Sequence, residues 1–232
     1  LYTRSFLLGN KKTSTVSLWQ PDSILAQSLK PSTEVTLNSR VKGEFTTIVK
    51  TTSQGFRDTK LFEIPKPQDT YGILMLGDSF AFGYGVNVDE TFSKILESNL
   101  TKRLDKKVEV INASFADGTT WDEYYLFLKE RGLAFQPDLI IENVFLGNDI
   151  DDLGTHDWVG TDKEGLPTKI VSNSTFVSSE GFLLEKERAE QDQRRIRGFL
   201  GLINQLACDK IYLCKIVIRP TVDQLVFRGG LL

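Results

Sequence analysis

The alternation of apolar strands and amphipathic helices that begins at Tyr71 constrains the fold of this chain more than any other feature. The short apolar run GILML is typical of a parallel strand covered on both faces, and KVEVIN and PDLIIENVFLGND predict two further strands. Strands that alternate with helices are joined by right-handed crossovers in a parallel sheet. We therefore predict an α/β fold with three α/β/α layers from about residue 70, in which residues 72–77, 107–111 and 138–146 form adjacent parallel strands.

Two helices are predicted between these strands. The segment DETFSKILESNLTKRL places Phe92, Ile95, Leu96 and Leu100 at helical spacing, with Asp89 available as a cap. The segment TWDEYYLFLKERGL predicts the second helix.

The chain before residue 70 and after residue 152 does not follow this rhythm. Residues 1–70 mix Val and Thr with interrupting glycines and end in IPKPQDT, which predicts an irregular, β-containing extension. The stretch from Gly154 to Phe182 predicts an insertion with a hairpin, and KIYLCKIVI fits a strand or a helix. Before it, EKERAEQDQRRIRGFLGLINQLA predicts an amphipathic helix with one apolar stripe: Ile196, Phe199, Leu200 and Ile203. The predicted organisation is an extension over residues 1–70 and an α/β domain over residues 71–232.

Composition and charge exclude several classes of partner. The formal net charge of −3 does not favour binding to nucleic acid or to anionic lipids, and no apolar run approaches the roughly 18 residues of a membrane span. Cys208 and Cys214 have no clustered histidines beside them, so no zinc site is predicted and the redox compartment stays open. Because the sequence begins at Leu1 without a signal-peptide pattern, we expect a cut or processed start; an upstream signal or membrane anchor, and hence an extracytoplasmic location, stays open.

Three loops are expected to meet at one edge of the predicted sheet, because the carboxyl ends of parallel strands lie on the same side. These loops contain GDSF (77–80), NASFADG (112–118) and GND (147–149). In the flavodoxin-like strand order 2-1-3-4-5, ligands bind at the switch between the first and third strands. Ser79 and Asn148 would lie at those two strand ends, with Gly118 arriving from the second.

The residue types at these loops fit acyl transfer. A serine hydroxyl can attack a carbonyl, and the developing oxyanion then needs preorganised donors. The Ser79 amide, a backbone amide at Gly118 and the side-chain amide of Asn148 could supply three of them. Glycine at position 118 would allow the backbone to approach the substrate closely.

These motifs resemble the sequence blocks of the SGNH hydrolases, also called GDSL esterases. GDSF resembles the first block with Ser79 as nucleophile, NASFADG the second with Gly118 as oxyanion donor, and GND the third with Asn148 as oxyanion donor. Upstream, SQGFRD (53–58) and KP (66–67) are similar to a bacterial subgroup. The resemblance covers about residues 15–150. It implies the flavodoxin-like SGNH-hydrolase fold and a serine esterase that acts on an ester, such as an O-acyl group, without a cofactor or metal.

One block of the family is missing from this sequence. The Asp-x-x-His block near the family's C-terminus supplies the base and its orienting acid, whereas Asp152 and His156 are one residue too far apart and lie close to Asn148. We therefore expect a domain that is incomplete at its C-terminus and stops before its base. His156, the single histidine, is expected to be a solvated loop residue; the alternative is that it acts as the base from the loop after the third strand.

Other functions stay open at this point. The acyl group could pass to a sugar acceptor instead of water, as in an O-acyltransferase. A non-catalytic SGNH-like carbohydrate-binding module could use Tyr84, Trp121 and Trp158 as stacking residues. A flavodoxin-like nucleotide or flavin binder is disfavoured because GYG matches a phosphate-binding loop weakly. The expected partner is a small-molecule or glycan ester, and the acyl substrate and the oligomeric state are not specified by the sequence.

Overall fold

The computed structural model of the protein describes residues 16–39, 41–115, 119–146 and 152–186. The strands are β1 (Trp19–Gln20), β2 (Ser28–Leu29), β3 (Glu34–Asn38), β4 (Thr46–Lys50), β5 (Thr70–Gly77), β6 (Lys107–Asn112), β7 (Leu139–Asn143), β8 (His156–Trp158), β9 (Ile170–Ser172), β10 (Thr175–Val177) and β11 (Leu183–Glu185). The helices are α1 (Ser79–Phe82), α2 (Phe92–Leu104) and α3 (Trp121–Glu130), with 3-10 turns at Val88–Glu90, Gly132–Phe135 and Leu153–Thr155. The described part of the protein is therefore a mixed α/β structure.

The strands β5, β6 and β7 form a three-stranded parallel sheet in the order β6-β5-β7. In its register Met75 pairs with Asn112 and Gly77 pairs with Asn143. The predicted adjacency of three parallel strands is thus confirmed, although the third strand ends at Asn143. The chain segments that follow all three strands leave the sheet at one edge, with β5 in the middle.

The two faces of β5 pack against different helices, because successive side chains of a strand point to opposite faces. On one face, Leu74 and Leu76 belong to an apolar cluster with residues of α3. On the other face, Ile73 and Met75 pack with β6 and with Leu96 and Leu100 of α2. All four β5 side chains are almost fully buried, as expected for a strand covered on both sides.

The N-terminal end of α2 differs from the prediction. Helix α2 begins at Phe92 and its cap residue is Thr91, whereas Asp89 lies inside the preceding 3-10 turn. That turn has its own cap, in which the Glu90 carboxylate accepts a hydrogen bond from the Asn87 amide at 2.9 Å. The prediction of Asp89 as the cap of α2 is therefore wrong.

The buried face of α2 is also narrower than its apolar spacing suggests. Phe92 and Ile95 are about half exposed, at 49% and 50%. Two charged residues of the helix, Lys94 and Glu97, are largely buried. Lys94 Nζ lies 2.6 Å from the Asp58 carboxylate, and Glu97 accepts a hydrogen bond from the backbone amide of Val110 at 2.8 Å. These polar contacts rotate part of the apolar stripe towards solvent.

Residues 16–70 share the core of the sheet. The hairpin β3–β4 is antiparallel, and the short pair β1–β2 is antiparallel as well. Leu25, Phe56 and Phe62 are buried in the same apolar cluster as Leu74, Leu76 and α3. The N-terminal segment therefore forms one wall of the cluster on the α3 side of the sheet.

The segment after residue 152 contains two antiparallel strand pairs, β8–β9 and β10–β11, where the sequence predicts an insertion with a hairpin. The predicted helix that carries Ile196, the KIYLCKIVI segment and both cysteines lie outside the described residues. The longest described helix has 13 residues, and none of the described helices has both the length and the apolar character needed to cross a membrane.

Candidate active site

Ser79 lies directly after the central strand of the sheet, at the start of the four-residue helix α1. Asp78 caps this helix, since its side chain accepts a hydrogen bond from the Phe80 amide at 2.9 Å. Ser79 is half-buried, and no described residue forms a hydrogen bond with its hydroxyl. Its amide lies in the first turn of a helix, where no intrahelical acceptor is available.

The ends of the two neighbouring strands lie close to the Ser79 turn. The amide of Phe115, just after β6, donates a hydrogen bond to the carbonyl of Gly77 at 3.0 Å. After β7, the ring of Phe145 lies 4.5 Å from the ring of Phe80, centroid to centroid. The absence of a side chain at Gly77 allows α1 to pack closely against the end of β5. A Cβ at position 77 would come within 2.6 Å of the Ala81 side chain.

Gly118 and Asn148, the two predicted oxyanion donors, lie outside the described residues. The described residues nearest to them in sequence are Phe115 and Thr119 for Gly118, and Leu146 and Asp152 for Asn148. Their roles therefore stay predictions.

A buried arginine holds the turn that follows Ser79. The Arg57 guanidinium donates hydrogen bonds to the carbonyls of Phe82 at 2.9 Å and Gly83 at 2.6 Å, and also to the carbonyl of Val86. Its carbon Cζ lies 4.9 Å from the centre of the Phe82 ring, and burial lowers the pKa of Arg57 to about 10. The charge is thus solvated by backbone carbonyls at the C-terminal end of α1, where the helix dipole favours a cation.

Gly83 completes this turn. Its φ of +86° is in the left-handed region that glycine adopts without strain. A Cβ at this position would lie 2.6 Å from Thr91 Cγ2 and 3.0 Å from the Arg57 guanidinium, so the turn also has no room for a side chain.

Asn112, at the end of β6, connects the strand to the same helix. Its side-chain amide donates to the carbonyl of Ala81 at 2.9 Å, and its side-chain oxygen accepts from the Ser114 amide at 3.1 Å. Sequence reasoning assigned no role to Asn112 or Arg57. The sequence held one signal for Arg57: in SQGFRD this charged residue directly follows the aromatic residue Phe56.

His156 is buried, so the prediction of a solvated loop histidine is wrong. Its side chain is 1% exposed and lies in β8, between two acidic residues of the first turn of α3. The ring atom Nδ1 is 2.8 Å from the Thr120 hydroxyl and 3.6 Å from the Asp122 carboxylate, and Nε2 is 3.5 Å from Glu123 Oε2. We call His156, Thr120, Asp122 and Glu123 the histidine cluster.

The hydrogen bonds of the histidine cluster determine where its protons lie. The Thr120 hydroxyl donates to Asp122, so its remaining contact, with His156 Nδ1, is one in which the ring donates. The other ring nitrogen, Nε2, faces the Glu123 carboxyl group at 3.5 Å. Both ring nitrogens of His156 therefore face residues of the histidine cluster, which argues against His156 as the base.

The two carboxyl groups of the cluster have opposite pKa shifts. Burial raises the pKa of Glu123 to about 7, even though the His156 ring and the Ala26 amide favour its ionised form. Burial also opposes ionisation of Asp122, but its contacts with His156, Thr120 and Trp158 outweigh this effect and lower its pKa to about 2. Consecutive acids at a helix start are ordinarily exposed residues that complement the helix dipole, so their sequence position carries no signal of this burial.

The aromatic residues considered for glycan stacking have other partners. Trp158 is 50% exposed, but its indole N–H donates to the Asp122 carboxylate at 2.8 Å. Tyr84 packs edge-on against Phe45, and Trp121 packs against the apolar cluster on the α3 side. Among the described residues, no group of three or more His, Cys, Asp or Glu side chains is placed to hold a metal ion.

Comparison with known proteins identifies no family for this chain: no family model, no curated protein and no solved structure matches it.

Proposed function

We propose that the protein is a serine esterase or acyl hydrolase of the SGNH type, with the three-layer, flavodoxin-like arrangement of that family. The observation that carries this proposal is the position of Ser79. It follows the central strand of a three-stranded parallel sheet with the order β6-β5-β7, at the edge where ligands of such folds bind. The motif resemblance of GDSF, NASFADG and GND supports the same conclusion.

In the proposed reaction, the Ser79 hydroxyl oxygen attacks the carbonyl carbon of an ester while a base removes the hydroxyl proton. The oxyanion that forms is met by the Ser79 amide and by donors at Gly118 and Asn148. The intermediate collapses to an acyl-serine and expels the alcohol, which receives the proton from the base. Water, or a sugar hydroxyl in an acyltransferase, then gives its proton to the base and attacks the acyl-serine. The carboxylic acid or the acylated sugar leaves, and Ser79 takes the proton back from the base.

We propose that the base for Ser79 lies outside the described residues. None of these residues hydrogen-bonds the Ser79 hydroxyl, and the ring of His156 is occupied within the histidine cluster. The acidic pair Asp122 and Glu123 is buried around the same ring.

Ser79 should be the serine that reacts with a fluorophosphonate probe in the intact protein. The probe forms a phosphoester at an activated serine and expels fluoride, so it reports the nucleophile without requiring a known substrate. Wild-type protein and the control Ser179→Ala, at an exposed turn, should be labelled, whereas Ser79→Ala should not. Peptide mass spectrometry identifies the site; labelling that persists in Ser79→Ala, or none in the wild type, would contradict the proposal.

Asn148→Ala should reduce ester turnover by about 10²–10³-fold, because one oxyanion donor is typically worth that much. The donor acts on charge that exists only in the transition state, so the loss should appear in kcat with little change in KM. Thermal unfolding serves as the control. A variant that keeps normal turnover but unfolds at a lower temperature would assign Asn148 to a structural turn.

A further inference from the structure

We propose that a cavity between the N-terminal segment and α3 binds an aliphatic chain that ends in an uncharged oxygen. The cavity has a volume of about 550 Å³, within the range of about 300–1,000 Å³ of small-molecule sites. Its lining includes the aromatic residues Phe56, Phe115, Phe127 and Phe135. This inference does not depend on Ser79 being a nucleophile.

The cavity is accessible from solvent on one side. Ile64 and Ala134, which both belong to its lining, are exposed residues, whereas the four phenylalanines are buried. The cavity therefore leads from exposed residues at its entrance to buried aromatic rings inside. An aliphatic ligand chain can enter it lengthwise and place its carbon atoms against these rings. The apolar surface that such a chain removes from water supplies the binding free energy.

The polar groups of the cavity favour an uncharged ligand. Arg131 and Asp22, which both line the cavity, form a bidentate ion pair with nitrogen–oxygen distances of 2.8 and 2.7 Å. Each charge therefore already has its partner. Asp22 also accepts hydrogen bonds from the amides of Ile24 and Leu25, which fixes its orientation. A free carboxylate or ammonium group would therefore find no unpaired opposite charge in this ion pair.

Ser114 provides the hydrogen-bonding group for the polar end of the ligand. Its residue is 2% exposed and belongs to the cavity lining, and its hydroxyl has no hydrogen-bond partner among the described residues. A buried hydroxyl without a partner is uncommon and costly. An ester, alcohol or amide oxygen at the end of an aliphatic chain would satisfy it.

Two sources of such a chain share this chemistry. The first is the acyl chain of an ester that is cleaved at Ser79, because Phe115, which lines the cavity just after β6, donates a hydrogen bond to the carbonyl of Gly77, two positions before Ser79. The second is a separate lipid that binds without being cleaved. The experiments below separate the two.

Calorimetric titration with 1-octanol tests the cavity directly. Saturable binding to the wild type is expected, and Ala134→Trp should weaken it at least about tenfold by filling the entrance. Leu133→Trp is the matched control, since Leu133 is the exposed neighbour of Ala134 and is not part of the lining. The absence of saturable binding, or equal dissociation constants for Ala134→Trp and the wild type, would overturn the proposal.

Ser114→Ala tests the polar end of the ligand and should weaken 1-octanol binding about fivefold, as expected for one hydrogen bond. Unchanged or tighter binding would overturn the role of Ser114. A diazirine-bearing octanol should, on irradiation, attach within the lining segments 20–31, 54–64, 113–115 or 127–135. Attachment only outside these segments would overturn the location.

The source of the chain follows from the chain-length preference of hydrolysis. If the cavity holds the acyl chain of the substrate, Ala134→Trp should shift the preference from p-nitrophenyl octanoate towards p-nitrophenyl acetate, and 1-octanol should inhibit the octanoate reaction. If it holds a separate lipid, Ala134→Trp should weaken 1-octanol binding and leave the preference unchanged. Failure of Ser79→Ala to abolish turnover would contradict the proposed function alone, since the binding experiments do not use it.

Discussion

Replacement of Arg57 by methionine is expected to lower the free energy of unfolding by about 3 kcal/mol and to loosen the turn after Ser79. Methionine has a similar length and packs well in the core, but it leaves the carbonyls of Phe82, Gly83 and Val86 without their donor. Each buried acceptor that loses its hydrogen bond costs about 1–3 kcal/mol, which is partly offset because a desolvated charge is removed. Denaturant unfolding measures the loss, and hydrogen exchange of the amides of residues 80–86 measures the local opening.

Arg103→Met is the matched control for Arg57→Met, because Arg103 is exposed in the last turn of α2. It should change stability by less than about 0.5 kcal/mol. Arg57→Lys should fall between the two, since an ammonium group can reach fewer of the carbonyls in the right geometry. If Arg57→Met keeps the stability and the hydrogen-exchange rates of the wild type, the guanidinium group only fills space.

Replacement of Glu123 by glutamine is expected to stabilise the protein at pH 8 by up to about 3 kcal/mol and to have little effect at pH 5. The pKa of Glu123 rises from 4.5 to about 7 on burial. A carboxyl group with a raised pKa binds its proton more tightly in the folded state, so its contribution to stability is complete below about pH 4.5 and is lost as the pH rises through about 7. Glutamine resembles the protonated form at every pH and should remove this loss.

Charged groups on several elements face Glu123. His156 from β8 and the Ala26 amide favour the ionised form of Glu123 and limit the rise of its pKa, whereas Asp122 from α3 and Asp22 from the N-terminal segment add to it. The expected gain at pH 8 corresponds to roughly 5–10 °C in the unfolding temperature. Glu130→Gln, at the exposed end of the same helix, is the control and should not alter the pH profile. A parallel pH profile of Glu123→Gln and the wild type would refute the raised pKa of Glu123.

The sheet could be predicted from the sequence because its strands carry their own signal. GILML is apolar at every position, as a strand must be when both faces are covered, and helices follow it at regular intervals. The exposure of Phe92 could not be predicted in the same way. It depends on Lys94 and Glu97, whose partners Asp58 and Val110 lie outside the helix.

For the candidate site, the sequence indicated the position of Ser79 but not the groups that hold it. A serine after a buried strand is a local feature, whereas the contacts of Arg57 with residues 82–86 join segments about 25 residues apart. His156 was misjudged for a related reason. A polar residue in a loop-like segment is usually exposed, and its burial depends on two acids that are more than 30 residues earlier in the sequence.

The wall that residues 16–70 contribute to the core also affects how the protein is made. Ala26 donates its hydrogen bond to Glu123, which lies 97 residues later in the chain. At about 5–20 residues per second, the ribosome needs roughly 5–20 s to synthesise that partner. During this interval Leu25 and its apolar neighbours have no core to pack into. The nascent segment therefore exposes apolar side chains that can associate with other proteins. Its folding therefore waits for α3, although it is synthesised before α3.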